Sequence, residues 1–138
     1  MSDLDFLVAV LPVILIGMFI YKKDKIKESS GLLFKLFVGG IASCFPAVII
    51  GLLCDNFFPE MEQMNFIQLL FYVFFVISFV EEIFKWIFLY KISYNHDEFD
   101  SLYDMIVYAS FVALGFACFE NILYVSSSGI MTGLVRAV

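Results

Sequence analysis

Four ionisable side chains sit where an apolar chain should carry none. Glu81, Glu82 and Lys85 interrupt a hydrophobic run from Phe66 to Tyr90, and Glu120 with Asn121 interrupts another from Met105 to Val125. Carboxylates in such a setting do two sorts of chemistry: they take and give protons at a reacting bond, or with further donors they hold a divalent metal such as zinc. Two adjacent carboxyl groups in a low dielectric resist ionising together, which prepares one as acid and the other as base. On a helix Glu81 and Lys85 are four apart, acid first, and lie one above the other, whereas Glu82 is turned about 100° away. This spacing predicts that Lys85 neutralises Glu81, leaving the other carboxylate for chemistry or for a metal.

The elements that must position these groups are membrane helices. Of 138 residues, 62% are hydrophobic and only 16% charged, with a mean hydropathy of +0.96. A water-soluble domain has roughly a quarter of its residues charged, so lipid is the solvent here and disordered or fibrous classes fall away. A net charge of -6 and a pI of about 4.5 exclude a basic footprint for nucleic acid. Four apolar runs, Phe6–Tyr21, Leu32–Leu53, Phe66–Tyr90 and Met105–Val125, predict an all-α, polytopic membrane protein with four transmembrane helices. The last three cover the roughly 30 Å hydrocarbon core, and the first is marginal. None alternates as a transmembrane β-strand would. Ile130–Val138 reads as the start of a fifth helix, so that residues 1–138 form a single transmembrane domain continued beyond Val138.

Lysines set the orientation. The first connection holds Lys22, Lys23, Lys25, Lys27 and Lys35, and the second, Cys54 to Asn65, holds no Lys or Arg. Positive-inside bias places the first in the cytoplasm and the N-terminus outside. Asp3 and Asp5 stand where a signal peptide would carry Lys or Arg, so the first run is read as a retained helix. Pro12 and Pro46 fall within spans, which membrane helices tolerate. Cys44, Cys54 and Cys118 share no motif spacing and read as small apolar side chains. His96 lies in the acidic stretch HDEFD and reads as a loop residue.

Facing lipid, an ionised side chain near the bilayer centre costs roughly 2.5–3.5 kcal/mol, so the four groups must turn inward. Ala109, Ala113 and Ala117 recur every four residues and lead to Asn121 with Glu120 beside it, a stripe that lets a partner helix approach closely. Tyr124, four beyond Glu120, is on the same side and can donate a hydrogen bond. Taking the spans at face value, Glu81 and Glu120 are offset by roughly 14 Å in depth, so their contact does not follow from the sequence. Asp104 falls at the start of the fourth helix, where an acid also suits the helix dipole.

The order FVEEIFKW, then LYDMIVYASFVALGFACFENILYV, resembles the PrsW family of intramembrane proteases over Phe79–Val125, through EExxK, YDxxVY and GFAxxENxxY motifs. The resemblance implies catalytic roles for Glu81, Glu82, Lys85, Asp104, Glu120 and Asn121, with Tyr108 and Tyr124 supporting the substrate or oxyanion. It implies a multi-pass protein of the bacterial cell membrane that makes the site-1 cut in single-span substrates such as anti-sigma factors, in envelope-stress signalling. A divalent metal such as zinc is implied, with Glu82 and Glu120 as its candidate ligands. Met105 and Ala109 stand where the family usually has glycine, and its later histidine falls beyond Val138. The chain therefore reads as the N-terminal part of a PrsW-like domain.

Two other classes use the same residues. A catalytically incomplete or non-catalytic member would bind a partner helix through the polar face, and a sequence continuing past Val138 to a histidine in an apolar run would count against it. An ion or proton transporter also buries Glu and Lys, but no broken-helix repeat is present.

Overall fold

The computed structural model describes residues 3–24 and 28–128, so the expected start of a fifth helix at Ile130–Val138 lies outside the described residues. Four long helices account for most of them. Helix α1 is Asp3–Lys23, α2 is Ser30–Asp55, α3 is Phe66–Ser93 and α4 is Leu102–Ser128. A short 3-10 turn, Met61–Gln63, lies between α2 and α3. All four helices are long and apolar enough to cross a membrane. At about 1.5 Å per residue, even α1 reaches across the core, because its helix runs past the apolar stretch at both ends.

Local chemistry starts these helices where they start. The Ser29 side chain accepts the N–H of Leu32 at 3.2 Å and so caps α2. Asn65 and Gln68 form a reciprocal box at the head of α3, with Gln68 N–H on Asn65 Oδ1 at 2.9 Å and Asn65 N–H on Gln68 Oε1 at 3.1 Å. Within α3, residues Tyr72–Ser78 are wound as a π-helix between α-helical Phe66–Phe71 and Phe79–Ser93.

Helix α4 packs most extensively on α2 and next on α1, and α3 packs chiefly on α2. Leu32, Leu33 and Leu36 of α2 and Val107, Tyr108 and Val112 of α4 form one buried cluster. Val13 of α1 with Leu114 and Cys118 of α4 forms another. The close approach of α2 and α4 comes from glycine. A Cβ at Gly40 would fall 2.0 Å from the carbonyl oxygen of Val112, and one at Gly115 would fall 1.9 Å from that of Phe37. The alanine stripe does not bring α2 and α4 together: Ala109 and Ala113 line an open groove with Met105, Ile106 and Ser110. Alanine keeps a Cβ, which holds two backbones apart by the distance that glycine removes.

Candidate active site

Helices α2, α3 and α4 enclose a cavity of about 470 Å³. Its polar groups come from three helices: Cys44 from α2, Glu81 from α3, and Glu120, Tyr124 and Ser126 from α4. The rest of the wall is apolar, with Val76 and Ile77 from the π-helical stretch and Phe116, Phe119 and Leu123 from α4. The depth offset read from the sequence thus does not keep Glu81 and Glu120 out of one cavity. Helix α3 continues to Ser93, so its middle falls at Phe79–Val80, next to Glu81.

Lys85 pairs with the neighbouring acid, Glu82. Its Nζ donates to Glu82 Oε1 at 2.5 Å, an i,i+3 contact, and lies 4.3 Å from the centre of the Phe116 ring. The Glu82 side chain is 71% exposed and that of Lys85 18%. The sequence pointed to Glu81 as the partner of Lys85; the contact seen is to Glu82, because i,i+3 and i,i+4 are both within reach of a lysine.

The other motif residues lie elsewhere. Asn121 Nδ2 donates to the carbonyl of Ala9 at 3.3 Å and ties α4 to α1. Asp104 is buried at the opposite end of α4, sixteen residues or about 24 Å along the axis from Glu120. It accepts the N–H groups of Ser101 at 2.7 Å and Asp100 at 3.1 Å and the Ser101 hydroxyl at 2.6 Å, while the Asp104 N–H donates to Ser101 Oγ at 3.3 Å. That is a helix-capping arrangement. Tyr108, one turn on, is fully buried and donates its hydroxyl to Glu28 Oε2 at 2.5 Å, with the Glu98 carbonyl at 3.3 Å. Glu98 Oε2 in turn accepts the Ser29 N–H at 2.7 Å. The YDxxVY motif thus clasps the first and third connections together.

Electrostatics of the clasp follow from its burial. Desolvation pushes the Glu28 carboxyl above its ordinary value; the Tyr108 hydrogen bond opposes this, and the charges of Asp104, Glu98 and Asp24 reinforce it. The Ser29 N–H holds Glu98 below its ordinary value.

Sequence reasoning did not find Glu28 or Cys44. Glu28 is paired only through the fold, eighty residues from Tyr108. Cys44 had a usable signal: with Ala47, Val48 and Gly51 it makes a small-residue line at helical spacing along α2, and all four line the cavity.

A zinc protease holds its ion with three protein ligands and a water. Among the described residues, no group of three His, Cys, Asp or Glu side chains is placed to hold a metal ion. Of the expected ligand pair, Glu120 lines the cavity and Glu82 contacts Lys85. By themselves the described residues do not complete a metal centre; the groups they bring to the cavity are carboxylate, phenol and thiol.

Membrane helices that enclose carboxylates from two different spans define a multi-pass membrane protein with an intramembrane polar site. Residues 28–138 match the PrsW family intramembrane metalloprotease, and the chain belongs to that family. It is 38% identical over 129 residues to the protease PrsW of Oceanobacillus iheyensis, covering 94% of this chain and 57% of that protein. Against protease PrsW of Geobacillus kaustophilus the identity is 33% over 132 residues, covering 94% of this chain and 55% of the relative. Against that of Bacillus subtilis it is 35% over 131 residues, covering 94% and 57%. The chain thus spans little more than half the length of these relatives. No solved structure matches it.

Proposed function

We propose that the chain carries the glutamate-lined part of a PrsW-type active site, which hydrolyses a peptide bond in single-span membrane substrates of the anti-sigma factor type. The observation that carries this reading is that Glu81 and Glu120, from different helices, line one cavity within the membrane-spanning bundle. Paired carboxyl groups supply both a base and an acid. Glu81 takes a proton from water as the water oxygen bonds to the scissile carbonyl carbon. Tyr124 donates to the oxyanion that forms. Glu120, protonated, gives its proton to the amide nitrogen as the carbon–nitrogen bond breaks. The Lys85–Glu82 pair keeps the second acid of the motif neutralised at the rim, and Asn121 holds α1 against α4.

In this reading residues 1–138 form one transmembrane domain of a longer bacterial cell-membrane protease. The lysine-rich first connection faces the cytoplasm, and the N-terminus lies outside. Cytoplasmic placement also puts the Glu28–Tyr108 clasp on the inner side, away from the site-1 cut.

The test is co-expression of the full-length protein with a single-span membrane substrate. Glu81→Gln and Glu120→Gln are each expected to lower cleavage by about 100-fold or more, the range for lost acid–base catalysis. Undiminished cleavage by either, in protein that still inserts and folds, would remove its assigned role.

A further inference from the structure

Helix α3 holds one more residue than an unbroken α-helix of its shape would. At the end of Tyr72–Ser78 the Phe79 N–H donates to the carbonyl of Phe74, five residues back in place of four. Each α-helical residue advances by about 100°, so a residue taken up in a wide turn holds everything after it back by about that angle. The same angle separates chain neighbours. Without the wide turn, Val80 would point where Glu81 now points, and Glu81 would take the outward direction of Glu82.

Both ends of α3 are fixed by α2 and its following connection, so the extra residue is absorbed between them. Upstream, Tyr72 is buried, its hydroxyl donates to Asp55 at the end of α2, and its ring lies edge-on to Phe58 at 5.2 Å. Downstream, Ile92 and Phe88 lie against Gly39, where a Cβ would come within 2.5 Å of Ile92 Cδ1. The wide turn also supplies cavity wall, through Val76 and Ile77. π-helical turns are rare and concentrate at functional sites, and this one ends just before the paired glutamates.

We propose that the π turn Tyr72–Ser78 is the positioning element of the site, turning α3 so that Glu81 and not Val80 faces the cavity between α2, α3 and α4. The proposal rests on the proteolytic reading for what the cavity is used for, and its geometry is tested without proteolysis.

Cys54→Ser with Cys118→Ala, and serine in place of any cysteine after residue 138, leaves Cys44, on the cavity wall, as the single native thiol. In the full-length protein in membranes, Val80→Cys, Glu81→Cys and Glu82→Cys are added one at a time and oxidised. Disulfide-linked peptides are then counted by mass spectrometry. Linking requires the two Cβ atoms to face each other, so Glu81→Cys is expected to link to Cys44 about tenfold more than its neighbours. The series is repeated with Phe74 deleted and, separately, with Val73 deleted; both are exposed residues of the wide turn. Each deletion removes the extra residue and restores α geometry, so the link is expected to stay with Glu81→Cys. In an ordinary α-helix a deletion turns the remainder by one residue, and the link would pass to Glu82→Cys. That transfer, or loss of every link in both deletions, overturns the proposal. Cleavage lost in a deletion variant that keeps Glu81, while the link persists in its Glu81→Cys counterpart, counts against the proteolytic reading and leaves the positioning intact.

Discussion

Lys85 reaches Glu82 across 2.5 Å, while Glu81, the acid before it in the chain, lines the cavity. The two acids of one motif are thereby given different tasks, although they are neighbours in the chain. Glu82 offsets the lysine charge at an apolar depth where a lone ammonium would cost roughly 2.5–3.5 kcal/mol. Glu82→Gln is therefore expected to lower cleavage by less than about tenfold, against about 100-fold or more for Glu81→Gln. Cleavage rates of the two variants, normalised to inserted protein, check the asymmetry. Equal losses would return Glu82 to the chemistry.

The spans were legible because hydropathy alone decides them: no backbone polar group can be left open in lipid, so a long apolar run must be helical. The partner of Lys85 was not legible, since i,i+3 and i,i+4 are both open to a flexible side chain. Nor was the sharing of one cavity by Glu81 and Glu120, which depends on α3 continuing to Ser93 and on the third wall supplied by α2. The YDxxVY motif was visible, but its use was not. Tyr108 finds Glu28 only after α2 and α4 have packed, and no local pattern announces a contact eighty residues long.

That contact sets a dependence on pH. Burial raises the Glu28 carboxyl above its ordinary value of 4.5, so the folded clasp favours the protonated form. Its contribution is then fully present below that value and is lost as pH rises through the raised one. Glu98 is lowered and acts in the opposite direction, its contribution lost only as pH falls below 4.5. Thermal unfolding in detergent is expected to show a Tm that declines as pH rises above 4.5, with a smaller decline in Glu28→Gln. An unchanged decline in that variant would separate Glu28 from the effect.

Tyr108→Phe isolates the hydrogen bond itself. The variant keeps the ring against Phe99, at 6.0 Å between centres, and removes the hydroxyl that donates to Glu28. Leaving a buried carboxyl group without that partner costs about 1–3 kcal/mol. Denaturant unfolding should register the loss, while cleavage per folded molecule is expected to stay within about tenfold of the parent. A 100-fold fall in cleavage with unchanged stability would put Tyr108 in the reaction after all.

Asp104 poses the same question at the helix end. Its three accepted hydrogen bonds come from Asp100 and Ser101, and it lies about 24 Å along α4 from Glu120. Asp104→Ala is expected to remove about 1–2 kcal/mol of stability, the usual size of a lost cap. Asp104→Asn keeps an accepting oxygen and should recover most of it. Stability restored by asparagine while cleavage stays absent would mean that the carboxylate charge, and not the cap, is what the enzyme uses.

Gly115 sets how closely the two walls of the cavity stand. Its missing side chain lets the backbone of Phe37 approach so that a Cβ would be 1.9 Å from the carbonyl oxygen, and backbone cannot yield as a side-chain tip can. Gly115→Ala must therefore push α2 from α4, at a cost of about 1–3 kcal/mol or more for overpacking. The displacement bears on the site, because Phe116 beside it and Cys44 on α2 both line the cavity, with Cys44 Sγ 3.8 Å from the Phe116 carbonyl. Glycine at 51 is the control, since a Cβ there meets nothing within 4 Å. Gly115→Ala is expected to lower both unfolding stability and cleavage, and Gly51→Ala to leave stability within about 0.5 kcal/mol. Equal effects of the two substitutions would mean that helix propensity, and not the α2–α4 approach, governs this part of the bundle.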